Sequence, residues 1–85
     1  MSAARARLTR VLQNAVQESR KFNDYNFRCY FVNKFENQLN NLETNQSTQV
    51  TPELITAAER DLAIVARQAA VQELNLTLYK LYYKL

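Results

Sequence analysis

The absence of glycine from the 85 residues is the strongest constraint on the fold, and the only proline is Pro52. Tight hairpin turns and phosphate-cradling loops depend on glycine, because other residues rarely adopt positive φ or allow such close backbone approach. A β-sandwich, a P-loop and a Rossmann turn are therefore excluded. Since 85 residues make one small domain, we predict that residues 1–85 form a single all-α domain.

Three segments carry apolar residues at helical spacing, over about residues 3–21, 24–42 and 52–76. In the first, side chains three or four residues apart define one face: Leu8, Val11, Leu12, Ala15, Val16 and Ser19. The face of the second is broad and aromatic: Phe27, Tyr30, Phe31, Phe35, Leu39 and Leu42, with Lys34 at its margin. Both patterns predict amphipathic helices that bury one side.

The third helix has a recognisable start, because Thr51 suits the N-cap and Pro52 suits the first helical position. Ile64, Val71 and Leu74 lie outside its main apolar stripe, so this helix should be contacted on more than one side. The polar stretch 43–50 is the only linker-like segment. We therefore predict a three-helix antiparallel bundle.

The C-terminal tail, residues 74–85, has two possible conformations. Alternation of leucine with polar residues at 74–78 favours an extended segment, whereas the spacing of Leu78, Leu81 and Leu85 favours a helix. The tail carries too much apolar surface for a free terminus. We predict that it docks on a partner.

The stretch from Ser19 to Arg28 predicts a well-defined corner between the first two helices. Basic residues at 20 and 21 suit the negative end of the first helix dipole, and Asn23 and Asp24 can cap the next helix. Three aromatic rings are expected to pin the corner into the core: Phe22, Tyr25 and Phe27.

Charge is spread unevenly along the chain, although the net value is only +3. Residues 1–34 contain seven basic and two acidic side chains, a balance of +5, and the remainder contains four basic and six acidic ones, a balance of −2. This asymmetry predicts an acidic partner for the N-terminal half. It is weak for a nucleic-acid footprint.

No catalytic constellation is present in the sequence. Histidine is absent and Cys29 is the only cysteine, which excludes the usual catalytic triads, a disulfide framework and a typical zinc site. Glu59 and Asp61 fall on different helix faces, so a paired-carboxylate site is not expected. We predict a non-enzymatic protein with no cofactor of its own.

Two blocks of residues resemble the LYR-motif family of small mitochondrial helical adaptors, in particular the type that serves the mitochondrial cysteine desulfurase. The first block runs from Glu18 to Phe22 and continues through residues 25–28 and 30–31. The second combines Asp61-Leu62 with Arg67-Gln68. The motif that names the family is degenerate, since Val11-Leu12-Gln13 occupies its place. Leu8-Thr9-Arg10 only looks like it.

The resemblance implies an adaptor that binds and stabilises the desulfurase and bridges it to acyl carrier protein in iron–sulfur cluster biogenesis. The carrier's acyl-4'-phosphopantetheine arm would enter a channel lined by Leu12, Val16, Phe27, Phe31, Phe35, Leu39 and Val65. The carrier's acidic surface would meet Arg5, Arg10 and Lys34. The desulfurase, which holds its own pyridoxal phosphate, would contact Ile64, Arg67, Gln68, Val71 and Leu74. The implied location is the mitochondrial matrix, in a hetero-oligomer.

Two other functions are also compatible with the sequence. A degenerate motif also suits a LYR-type assembly factor or accessory subunit of a respiratory complex. The basic N-terminal half and the Tyr/Lys tail suit a helical module on a membrane surface or on RNA. No apolar run in the sequence is long enough to span a membrane.

Overall fold

The computed structural model describes residues 3–45 and 49–84, with side chains described as far as Leu81. This part of the chain forms three helices, α1 (Ala3–Ser19), α2 (Tyr25–Thr44) and α3 (Pro52–Lys84). It contains no strand. The all-α class and the three helices are therefore confirmed, while the centre of the predicted loop, residues 46–48, lies outside the described residues.

The observed ends of α1 and α2 differ from the predicted ones by one or two residues, which is the usual scatter of helix boundaries. The end of α3 differs more. This helix continues to Lys84, eight residues beyond the predicted end, so the helical alternative for the tail is right and the extended alternative is wrong. No glycine or proline follows Pro52 to stop the helix, and leucine and lysine favour its continuation.

The starts of α2 and α3 are capped as the sequence predicts. The Asp24 carboxylate accepts a hydrogen bond from the backbone N–H of Phe27 at 3.1 Å. The Thr51 hydroxyl accepts one from the backbone N–H of Leu54 at 3.4 Å, and Pro52 occupies the first helical position. Each cap satisfies a donor that has no partner within the helix.

α1 is the central helix of the molecule. All six residues of its predicted face are buried. α1 packs on both α2 and α3, whereas no Cα atom of α2 lies within 8 Å of one in α3. Near its start, α1 places Arg5 beside the end of α2 and Arg7 beside Glu59, early in α3. The structure is therefore an α1 helix flanked by two helices that splay apart.

The splay of α2 and α3 corrects the predicted aromatic face of α2. Only Phe35 and Leu42 are fully buried there, while Phe31 and Leu39 are half-buried. Phe27 and Tyr30 are exposed, against prediction. The reason is that α2 packs on α1 alone, so the flank of α2 that faces α3 has no helix to cover it.

α3 is much longer than the helix it packs against. At 1.5 Å per residue its 33 residues span about 50 Å, twice the length of the 17-residue α1. Ala69 is the last buried apolar residue of its described side chains. Residues 70–84, here called the overhang, therefore extend beyond the core and give the molecule its long dimension of 58 Å.

Candidate functional site

Three interactions stabilise the corner between α1 and α2. Phe22 is only 2% exposed, and its ring stacks on that of Phe31 with centroids 5.3 Å apart. The Arg28 guanidinium donates to the backbone carbonyl of Phe22 at 3.2 Å. The buried Ser19 hydroxyl donates to the carbonyl of Ala15 at 2.7 Å, so this polar group is satisfied within the core. The predicted pinning of the corner is thus confirmed for Phe22.

The other two rings of the corner do not enter the core, which corrects the prediction for them. Tyr25 and Phe27 are 68% and 51% exposed. Tyr25 lies on the first turn of α2 instead, with Arg28 5.7 Å from its ring centroid, and a hydrogen bond to Cys29 raises its pKa. The corner needs one buried anchor, and Phe22 already fills the space.

A cleft of about 570 Å³ opens between the second half of α2 and the start of α3. Its apolar part is formed by α1 and by buried residues of the flanking helices: Leu8, Leu12, Leu42 and Ala58, with Leu54 and Ala57 at its side. Its polar part comprises Gln38, Asn41, Asn45 and Asp61. An apolar floor with a polar rim is the usual composition of a small-molecule or acyl-chain site.

The predicted acyl-channel residues are only partly gathered at this cleft. Leu12 lines it directly. Val16, Phe35 and Val65 are buried deeper in the same core, beyond the end of the cleft, and Phe31 and Leu39 are half-buried beside them. Phe27 is exposed and its ring lies 6.3 Å from that of Phe22. An acyl chain that enters the cleft would thus contact Leu12 along its length and could reach the deeper predicted residues only with its end.

The predicted carrier-contact cations do not form one patch. The Arg5 guanidinium donates to the carbonyl of Leu42 at 2.6 Å, so it closes the C-terminal end of α2. Arg10 is exposed and borders a groove of about 340 Å³ between α1 and α2. Lys34 lies on the flank of α2 that faces away from this groove, one turn before Gln38 on the cleft rim. Its ammonium is 5.7 Å from the centroid of the Phe35 ring.

The predicted client-contact residues share one exposed surface of α3. Ile64, Val71 and Leu74 are all exposed apolar residues, as expected for a helix with a second interaction face. Arg67 and Gln68 are exposed beside them. α1 packs on the other side of α3, through Ala58, Val65 and Ala69. The five residues are therefore available to another protein without any change in the core.

The described residues include few other groups that could react or bind a metal ion. Cys29 is a half-buried free thiol on α2. No group of three or more acidic or cysteine side chains in the described part of the chain is placed to hold a metal ion. No helix there is long and apolar enough to cross a bilayer.

The sequence did not indicate most of the residues that line the cleft. The helical spacing of Leu8, Leu42 and Ala58 predicts ordinary core residues, and nothing in the sequence marks Leu54 or Ala57 as part of a site. The available signal was the pair of small residues Ala57-Ala58 on the first turns of α3, opposite polar residues of α2. That signal becomes specific only when the splay of the helices is known.

Comparison with known proteins gives one similarity that covers most of the chain. LYR motif-containing protein 4 of Taeniopygia guttata is 22% identical over 76 residues, which are 89% of this chain and 85% of the relative. No family model matches the chain, and no solved structure matches it. The described residues are all-helical, as the resemblance implies. The likeness to this relative supports the LYR-motif family to which the two sequence blocks point.

Proposed function

We propose that the chain is a non-enzymatic adaptor of the mitochondrial matrix that binds and stabilises the cysteine desulfurase and bridges it to acyl carrier protein in iron–sulfur cluster biogenesis. The observation that carries the proposal is the open apolar cleft between α2 and α3. Similarity to a LYR motif-containing protein supports the same function class. The adaptor has two separate surfaces, one for the carrier and one for the client.

The cleft is the entry for the carrier's acyl-phosphopantetheine arm. Each methylene that leaves water for the apolar floor contributes about 0.8 kcal/mol. An 85-residue chain is marginally stable by itself, at about 4–13 kcal/mol. Burial of several methylenes against Leu12 and Leu42 would therefore add a substantial fraction of the total stability. The acyl chain lies along the floor and its end points toward Phe35 and Val65.

The rim of the cleft suits the polar part of the arm. Gln38, Asn41 and Asn45 provide amide donors and acceptors for the amide groups of pantetheine. Lys34, one turn away on the same flank of α2, supplies a cation for the phosphate or for acidic side chains of the carrier. Arg5 is engaged with the end of α2, so its first role is structural. Arg10 remains exposed for a second charged contact.

The client contact is the exposed surface of α3 opposite α1. An apolar patch of this kind on a small protein marks an interaction site. Ile64, Val71 and Leu74 would form its buried centre, and Arg67 and Gln68 would make polar contacts at its edge. The cleft uses residues 54–61 of α3 and the client surface uses residues 64–74, so carrier and client would bind successive stretches of the helix and the chain could hold both at once.

Co-expression with a desulfurase and an acyl carrier protein tests the proposal. Both are expected to co-purify with the chain, and the desulfurase is expected to be more soluble than when expressed alone. A chain that captures neither protein would contradict the proposal.

A matched pair of variants tests the cleft itself. Ala57→Phe fills the cleft from its side without entering the core, since Ala57 is exposed. It is expected to abolish capture of the acylated carrier. Ala63→Phe places the same ring at an exposed position of α3 that does not line the cleft, and it should leave carrier capture unchanged. Equal capture by wild type and Ala57→Phe would exclude the cleft as the acyl site.

A LYR-type assembly factor or accessory subunit of a respiratory complex is the second candidate. The observation that favours it is the burial of Val11 and Leu12, which puts the degenerate motif in the core and leaves Gln13 exposed in the place of the motif's arginine. A chain whose motif differs from that of the family would be expected to bind a different client protein. Affinity purification from mitochondria separates the two candidates, because the first recovers the desulfurase and the second recovers respiratory-complex subunits.

A further inference from the structure

The second face of α3 repeats every seven residues. Ile64, Val71 and Leu78 are spaced by seven, and so are Leu74 and Leu81, each three residues after a member of the first series. All five side chains are between 43% and 58% exposed. We call these five residues the α3 stripe. Apolar residues at the first and fourth positions of a seven-residue repeat form the contact seam of paired helices.

The α3 stripe runs along both parts of the helix. Its first member, Ile64, lies where α3 packs on α1, and its last four lie in the overhang. The residues that pack on α1, among them Val65 and Ala69, are on the opposite side of the helix. A second helix can therefore lie along the stripe over its full length without meeting α1.

We propose that the α3 stripe pairs with the α3 stripe of a second copy of this chain, in antiparallel orientation. The stripe is self-complementary in a single register. In that register Ile64 lies opposite Leu81 of the second copy, and Val71 lies opposite Leu74. All five apolar residues are then covered, and the overhang of each copy rests on the α1-packed part of the other copy's α3.

Charge selects the antiparallel orientation. Arg67 is the one charged residue at the positions of the seven-residue pattern between Ile64 and Leu81. A parallel pair would place the two Arg67 side chains together, and two like charges in a desolvated contact are costly. In the antiparallel register Arg67 lies opposite Leu78, which its aliphatic stem can cover. The flanking positions are neutral and add no repulsion: Ala63, Gln68, Ala70, Asn75 and Thr77.

The size of the contact makes this a weak and reversible dimer. The stripe spans 18 residues, so the paired segment is about 27 Å long. A single helix–helix contact of that length buries roughly 1,000 Å² in total, at the low end for specific interfaces. The inference rests on the stripe and does not depend on which client the chain serves. Because the stripe includes Ile64, Val71 and Leu74 of the proposed client surface, the second copy covers that surface until a client displaces it.

Sedimentation velocity of the purified chain over a wide concentration series tests the dimer. The mass is expected to rise from that of one chain to that of two. Leu74→Asp puts an unpaired charge opposite Val71 of the second copy and should weaken dimerisation more than about tenfold. Leu76→Asp puts the same charge on the other side of the overhang and should leave dimerisation unchanged. A monomer at every concentration, or equal effects of the two variants, would overturn the proposal.

Disulfide trapping tests the orientation. In a Cys29→Ser background, chains with Val71→Cys are mixed with chains that carry Leu74→Cys and are oxidised. The antiparallel register predicts a mixed disulfide between the two kinds of chain. Preferential linkage of each variant to itself would show a parallel pair and overturn the register. Circular dichroism of every variant checks that the helix content is unchanged, as expected for exposed positions of α3.

Discussion

Replacement of Phe22 by alanine should remove the anchor that joins the first two helices. The ring is almost fully buried and is stacked on Phe31 at 5.3 Å. Truncation of a buried phenylalanine costs about 3–5 kcal/mol, through lost transfer free energy and the cavity left behind. The whole chain has about 4–13 kcal/mol of stability. Phe22→Ala should therefore remove a large part of it.

Phe27→Ala is the matched control, because it removes the same side chain from the same corner. Phe27 is half exposed and 6.3 Å from the Phe22 ring, so we expect a cost of about 1 kcal/mol or less. Thermal unfolding followed by far-UV circular dichroism measures both variants. For a domain of this size the Phe22 variant should lose more than about 12 °C in Tm, and the Phe27 variant a few degrees. Equal losses would refute the assignment of the two rings.

Three further predictions follow from single contacts. Asp24→Ala should cost about 1 kcal/mol in urea unfolding through the lost cap of α2, whereas Asp24→Asn should keep most of that stability. Arg5→Leu should cost about 1–2 kcal/mol in the same assay, since its guanidinium closes the end of α2, and the exposed Arg10→Leu should cost almost nothing; equal losses would contradict that role. Arg67→Leu should leave the Tm of the chain unchanged and weaken the desulfurase complex about fivefold or more in a calorimetric titration; unchanged affinity would remove Arg67 from the client surface.

The sequence predicts the buried face of α1 completely, because this helix is short, strongly periodic and packed by both neighbours. Its six apolar-face residues are all buried. The two N-caps, Asp24 and Thr51, are equally local features, and each is found where predicted. The length of α3 was underestimated because its end has no stop signal, and leucine alternation over a few residues is a weak sign of an extended segment.

Features that depend on the mutual position of α2 and α3 could not be read from the sequence. The ring of Phe27 has the same spacing relative to Phe31 and Phe35 whether a helix covers it or not. Its exposure follows from the splay of two helices that are distant along the chain. The cleft has the same origin, since Leu42 and Ala58 become a floor only when the helices above them separate. Long-range packing, not local propensity, determines the candidate site.

Intact mass spectrometry of the carrier protein that co-purifies with the chain is the most direct test of the central claim. If the cleft between α2 and α3 receives an acyl chain, the carrier recovered with the wild-type protein should have a phosphopantetheine arm that is predominantly acylated. The carrier should be lost from the Ala57→Phe variant and retained by Ala63→Phe. Recovery of a carrier with an unacylated arm, or recovery of no carrier by a folded wild-type chain, would contradict the account.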